Sequence, residues 1–171
     1  MKLHDDDFAL FGLPRSFILD AAGLAERWRK LQSEVHPDRF AAKGAAAQRV
    51  AMQWSVRVNE AYVRLKDPLR RAAYLCELGG HAVDSGSGTA MPAAFLAQQM
   101  HWREALEEAA GADQVTALDD EVAADERAML SRLAALIDDR NDLAAAAQQV
   151  RALMFVARFR EDVSRRLASL E

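Results

Sequence analysis

The spacing of apolar residues is the feature that most constrains the fold. Apolar side chains recur every three or four residues along most of the chain, which is the period of one helix face. One such stripe is Leu24, Trp28, Leu31 and Val35. No segment rich in β-branched residues alternates with period two, so we expect no sheet. The 35 alanines also favour helices, because alanine loses no side-chain entropy there. The sequence therefore predicts an all-α protein.

Capping residues and breakers place the individual helices. Asp5 or Asp6 can cap a short first helix, and Asp20 can cap the second. Pro37 ends the second helix, because a residue before proline is pushed out of the α region. A third helix is expected after Gly44, with a buried face made of Val50, Trp54, Val58, Ala61 or Tyr62, and Leu65. Further helices are expected at about 69–78, 93–110, 115–139 and 143–170.

A segment rich in glycine and serine separates two halves of opposite charge. Residues 81–92 have no helical period, and they predict a linker. The expected domains are therefore 1–79, a linker at 80–92, and a three-helix bundle at 93–171, whose short connections imply antiparallel neighbours. Residues 1–79 hold 13 basic and 10 acidic side chains, whereas residues 80–171 hold 9 and 16. The basic first half favours an acidic protein partner.

Composition excludes several classes of protein. The acidic N-terminal residues lack the pattern of a secretion signal, so we expect a cytoplasmic protein. No apolar run approaches the roughly 20 residues of a membrane span. The net charge is −4 and there is no lysine- and arginine-rich block, so we expect no nucleic-acid partner. A single cysteine, Cys76, cannot form an internal disulfide, and we interpret it as a small buried apolar residue.

A charged tripeptide, His36-Pro37-Asp38, lies between the second and third helices. Pro37 fixes the backbone of the turn, while His36 and Asp38 offer a donor and an acceptor to a docking partner. Taken alone, these residues are more simply explained as a turn with a histidine at a helix terminus.

The surroundings of this tripeptide favour a functional interpretation. A helix ending in His-Pro-Asp, followed by one carrying Asn59-Glu-Ala-Tyr62 and a Lys-Asp-Pro68 stop, resembles the J-domain. Four segments make the chain similar to the HscB family, the J-domain co-chaperones of iron-sulfur cluster assembly. They are Phe8-Ala-Leu-Phe-Gly-Leu-Pro14, His36-Pro-Asp-Arg-Phe40, Arg71-Ala-Ala-Tyr-Leu75 and Phe95-Leu-Ala-Gln-Gln-Met-His-Trp-Arg-Glu-Ala-Leu-Glu-Glu108.

The resemblance implies a J-domain helical hairpin and a three-helix client domain in an L-shaped arrangement. The first would stimulate the ATPase of a DnaK-class chaperone of the HscA type through His36, Pro37 and Asp38, with Arg27 and Lys30 steering the encounter. The second would hold an IscU-type iron-sulfur scaffold protein. The implied client residues are Leu96, Met100, Glu104, Glu108 and Phe155.

The residues themselves give the 93–110 helix two apolar faces. One is a core ladder of Phe95, Trp102, Leu106 and Ala109. The other is a ladder at intervals of four that turns apolar and carboxylate side chains outward, and it consists of Leu96, Met100, Glu104 and Glu108. Burial of Leu96 and Met100 in the bundle is an equally good interpretation of this ladder alone. Ala97 and His101 depart from the family, where a larger apolar residue and an acidic residue are common.

Metal and enzyme functions find little support. The histidines at 4, 36, 81 and 101 are far apart, the chain has one cysteine, and the Glu-x-x-His pairs of a di-iron bundle are absent. We therefore expect no cofactor, no metal and no catalysis. Two alternatives stay open: a general J-domain co-chaperone for unfolded clients and, less favoured, a helical metal-dependent enzyme.

Overall fold

The computed structural model describes residues 5–83 and 91–170, and in these ranges the chain forms helices and no strands. The all-α prediction is confirmed. Residues 84–90 of the predicted linker lie outside the described residues. The α-helices are α1 Asp7–Leu10, α2 Ala21–Val35, α3 Ala45–Lys66, α4 Pro68–Leu78, α5 Ala93–Glu108, α6 Ala112–Ala134 and α7 Leu143–Ala168. A 3₁₀ segment, Pro37–Lys43, follows α2, and a π-helical turn, Ala135–Asp139, continues α6.

Aspartate side chains cap the N-termini of several of these helices. Asp6 accepts a hydrogen bond from the backbone N–H of Ala9, and Asp20 accepts one from Ala22, each at 3.0 Å. These bonds satisfy backbone donors that a first helical turn leaves without an intrahelical partner. Just after the C-terminal end of α4, Gly80 has a φ of +82°, which glycine adopts without strain. The cap expected at Asp5 or Asp6 is therefore found at Asp6, and the cap expected at Asp20 is confirmed.

The chain divides into two compact units, Met1–Leu75 and Cys76–Glu171. In the first unit α2 packs against α3, and the core includes Phe8, Phe11, Leu24, Val58 and Leu65, each at most 3% exposed. Asp7 is also fully buried there. Its carboxylate forms ion pairs with Arg57 at 2.7 Å and with Arg64 at 2.8 Å, so a charged cluster joins α1 to α3.

The buried face of α3 differs from the prediction at two positions, Val50 and Trp54, and Trp54 is only half-buried. Val50 is 51% exposed, and Ala51 is buried at 3%. One turn of an α-helix takes 3.6 residues, so each step of four residues rotates about 40° beyond a full turn. Residues that are spaced by repeated steps of four therefore drift off the face that packs on the core. The prediction that Val50 is buried is therefore wrong, whereas Val58, Ala61 and Leu65 are buried as predicted.

The second unit is an up-down-up three-helix bundle. Arg160 on α7 binds both carboxylate oxygens of Asp119 on α6, at 3.0 and 3.1 Å, and Gln149 donates to the carbonyl of Met129. The paired residue numbers increase along α6, from 119 to 129, while they decrease along α7, from 160 to 149. These two helices are therefore antiparallel, as predicted. Cys76 is fully buried, and desolvation raises its pKa to about 11. The interpretation of Cys76 as a buried apolar residue is confirmed.

Candidate functional site

The His36-Pro37-Asp38 turn is exposed at the end of the α2–α3 hairpin. The side chains of His36 and Asp38 are 55% and 89% exposed. His36 Nδ1 accepts the backbone N–H of Asp38 at 3.3 Å and lies 3.5 Å from the Asp38 carboxylate. When Nδ1 accepts this bond, the imidazole carries its proton on Nε2. The turn thus presents an N–H donor and a carboxylate to a partner.

The backbone of this turn is tied back to α2. Pro37 begins the 3₁₀ segment, where its fixed φ is favourable and its missing N–H costs nothing. The Arg39 guanidinium reaches back to donate to the Ser33 carbonyl at 3.1 Å. His36 and Asp38 therefore stand on a backbone that is held by α2 and by the turn itself.

A polar and aromatic clamp holds the hairpin behind the turn. Trp28 stacks on Tyr62 with ring centroids 4.6 Å apart, and its Nε1 donates to Asn59 Oδ1 at 2.9 Å. Gln32 donates to the same Asn59 oxygen and accepts from the Ser55 hydroxyl at 3.0 Å. Asn59 and Tyr62 belong to the Asn-Glu-Ala-Tyr motif, so that motif has a structural role here. The sequence alone does not reveal these contacts.

Arg27 and Lys30 are both exposed on α2. Arg27 also has a structural contact, because its guanidinium donates to the carbonyl of Phe11 at 3.0 Å and joins α2 to the end of α1. Lys30 lies with Arg27 on the wall of a cavity of about 760 Å³ between α1 and α2. The steering role expected for these two residues remains a prediction.

In the second unit, the outward ladder of α5 is exposed. Leu96 and Met100 are 48% and 63% exposed, and Glu104 and Glu108 are exposed after them. Burial of Leu96 and Met100 in the bundle core is therefore wrong. Ala97 and His101 are exposed on the same helix. The opposite face carries Trp102, which is 1% exposed and donates from Nε1 to Glu121 at 3.1 Å.

Two aromatic pairs join α5 to α7. Trp102 stacks on Phe159 with centroids 5.8 Å apart, deep in the bundle. Phe95 lies against Phe155 at 6.4 Å, and Phe155 is 40% exposed. Of the predicted core ladder, Phe95 and Leu106 are only half-buried, so placing these two residues in the core is wrong; Phe95 lies at the start of α5. Phe155 therefore lies across from the first turn of α5, which carries Leu96.

Two features are missing from the described residues: a cluster of metal-binding side chains and a membrane-spanning helix. Residues 5–83 and 91–170 contain no group of three or more His, Cys, Asp or Glu side chains placed to hold a metal ion. Over the same residues, each helix is too short or too polar to cross a membrane.

The helical hairpin with an exposed His-Pro-Asp turn, followed by a helical bundle, defines a J-domain protein with an additional C-terminal helical domain. Residues 91–164 match the family described as the HSCB C-terminal oligomerisation domain. Over 161 residues the chain is 51% identical to a co-chaperone protein HscB homolog of Bordetella petrii, covering 94% of this chain and 95% of that protein.

Solved structures agree with this match. Chaperone HscB from Vibrio cholerae superposes with a TM-score of 0.84 at 37% identity, over 98% of this chain and 100% of that one. The human co-chaperone protein HscB gives a TM-score of 0.90 at 26% identity, over 96% and 83%. The chain belongs to the HscB co-chaperone family.

Proposed function

We propose that this protein is a cytoplasmic co-chaperone, not an enzyme, which brings an IscU-type iron-sulfur scaffold protein to a DnaK-class chaperone of the HscA type and stimulates its ATPase. Cluster maturation and transfer would follow on the scaffold. The observation that carries the proposal is the exposed His36-Pro37-Asp38 turn, because it presents a donor and an acceptor to solvent at the end of a clamped hairpin. Full-length similarity to proteins named HscB co-chaperones supports it.

The J-domain acts on the chaperone by binding and supplies no reacting group. His36 and Asp38 dock on the ATPase, with Pro37 holding their geometry, and Arg27 and Lys30 attract an acidic surface from a distance. A bound protein shifts a conformational equilibrium only if it binds one state better than the other. The turn must therefore fit the hydrolysing state of the chaperone better than its resting state.

The C-terminal unit holds the client through a mixed surface. Leu96, Met100 and Phe155 supply exposed apolar area, and burial of apolar area gives about 25 cal/mol per Å² before the costs of association are subtracted. Glu104 and Glu108 continue the exposed ladder of α5 with carboxylates, which suit a basic patch on the client. One chain that carries both surfaces raises the effective concentration of client at the chaperone, and this needs no chemistry of its own.

The J-domain half of the proposal is tested with His36→Gln. We expect loss of ATPase stimulation with unchanged helical content, because His36 is exposed and its side chain supports no core. The matched control is His101→Gln, the same change at an exposed histidine on α5, measured without scaffold protein. Equal stimulation by both variants would remove His36 from the mechanism.

The client half is tested with Met100→Ser combined with Phe155→Ser. We expect scaffold affinity, measured by calorimetry, to fall by at least about tenfold, which corresponds to about 1.4 kcal/mol. ATPase stimulation without scaffold should not change. Met52→Ser with Val63→Ser is the control, because these residues are exposed to a similar degree, at 54% and 49%, on α3. Unaltered affinity in the first variant would refute the client surface.

A further inference from the structure

Phe155 on α7 contacts the ring of Phe95 on α5, and Phe95 lies beside the proposed client surface. The ring centroids of Phe95 and Phe155 are 6.4 Å apart, with 59° between the ring planes. This tilted arrangement is one that aromatic pairs favour, because the positive edge of one ring meets the negative face of the other. Phe155 is 40% exposed, while Phe95 is half-buried. Phe95 thus supports Phe155 from the bundle side and leaves part of its ring open.

The same contact joins the beginning of α5 to α7. Pro92, which precedes the helix, has no side-chain donor or acceptor with which to cap it, and Leu96 closes the first turn by donating its N–H to the Pro92 carbonyl at 3.1 Å. A first turn without a side-chain cap frays easily. Because Phe95 is in this turn and packs on α7, it ties Leu96 and Phe155 to one another.

Order in these side chains before binding has a direct effect on affinity. A side chain that is mobile in the free protein loses rotamer freedom when a partner covers it, and that loss subtracts from the binding free energy. Phe155 held against Phe95 has already lost much of this freedom. The client then meets a preformed apolar surface.

We propose that Phe95 is a positioning residue of the client surface: it orients the Phe155 ring for the scaffold protein. This inference rests on the proposed function of the C-terminal unit. The spacing of Phe95 alone predicts a core residue, and the positioning role is inferred from its ring contact with Phe155.

The test compares scaffold affinity across a double-mutant cycle in the full chain. Phe95→Leu should weaken binding of an IscU-type scaffold by about 3- to 10-fold, the effect of freeing one side chain. Phe95→Tyr keeps the ring and should bind within about twofold of the wild type. Phe95→Leu combined with Phe155→Leu should bind no more weakly than Phe155→Leu alone, because Phe95 acts through Phe155. Wild-type affinity in Phe95→Leu, or effects that multiply in the double variant, would overturn the proposal.

A control and a second readout separate positioning from stability and from client binding. Val163→Ala, at a fully buried site two turns further along α7, should lower the melting temperature without changing affinity. NMR spectra of ring-labelled phenylalanine should show Phe155 moving toward averaged shifts in Phe95→Leu and not in Val163→Ala. An unchanged Phe155 signal in Phe95→Leu, recorded without scaffold protein, would overturn the positioning role of Phe95. A wild-type chain that binds no scaffold would instead refute the client function.

Discussion

The buried carboxylate of Asp7 should hold the J-domain together. Asp7 is fully buried, while the side chains of its partners Arg57 and Arg64 are 21% and 43% exposed. Breaking a buried ion pair by removing one partner costs about 3–5 kcal/mol when the remaining charge stays buried. Both arginines reach water here, so Asp7→Asn should cost less, about 2–3 kcal/mol. For a unit the size of Met1–Leu75, that loss lowers the melting temperature by roughly 10–20 °C.

Urea unfolding of the full chain, followed by circular dichroism, measures this loss, and hydrogen exchange shows whether it falls on α1–α3. Asp20→Asn is the matched control. It makes the same chemical change at an exposed helix cap where asparagine serves as well as aspartate, so its effect should stay under about 0.5 kcal/mol. Equal losses in the two variants would refute the account of the Asp7 cluster.

Two further predictions concern titratable groups. Burial acts to raise the pKa of Asp6, but hydrogen bonds from the Ala9 N–H and from Arg15 outweigh it and lower the pKa below its usual value. Asp6→Ala should therefore cost about 1 kcal/mol at neutral pH. In acid titrations of stability, the charge-dependent part of this difference should disappear as the pH falls from the usual pKa of an aspartate through the lower folded pKa. A difference independent of pH would contradict it. Cys76 has a pKa of about 11 and is fully buried, so a thiol reagent at neutral pH should modify it far more slowly in native than in urea-unfolded protein, and equal rates would contradict its burial.

Much of the fold could be predicted from local signals in the sequence. Helix positions follow from apolar spacing and from breakers such as Pro37, and caps follow from aspartates such as Asp20, because all of these act over a few residues. The sequence allows Leu96 and Met100 to be either exposed or buried in the bundle, and only their solvent exposure in the structure decides between these two interpretations. The functional roles of the site residues and the domain boundaries stay predictions.

Contacts between distant residues could not be predicted in the same way. Asp7 looked like one member of an acidic N-terminal run, yet it pairs with arginines 50 and 57 residues further along the chain. One available signal was the spacing of Arg57 and Arg64, which puts them on one face of α3 at i and i+7. The pairing of Phe95 with Phe155 likewise depends on how α5 meets α7, which no local pattern specifies.

We propose that this chain serves a specialised chaperone pathway through His36. The most direct test is single-turnover ATP hydrolysis by an HscA-type chaperone and, separately, by a general DnaK-type chaperone, each with the wild-type chain and with His36→Gln. We predict stimulation of the HscA-type enzyme alone, lost in the variant. Stimulation of both chaperones would support a general J-domain co-chaperone instead, and stimulation of neither would contradict the J-domain function.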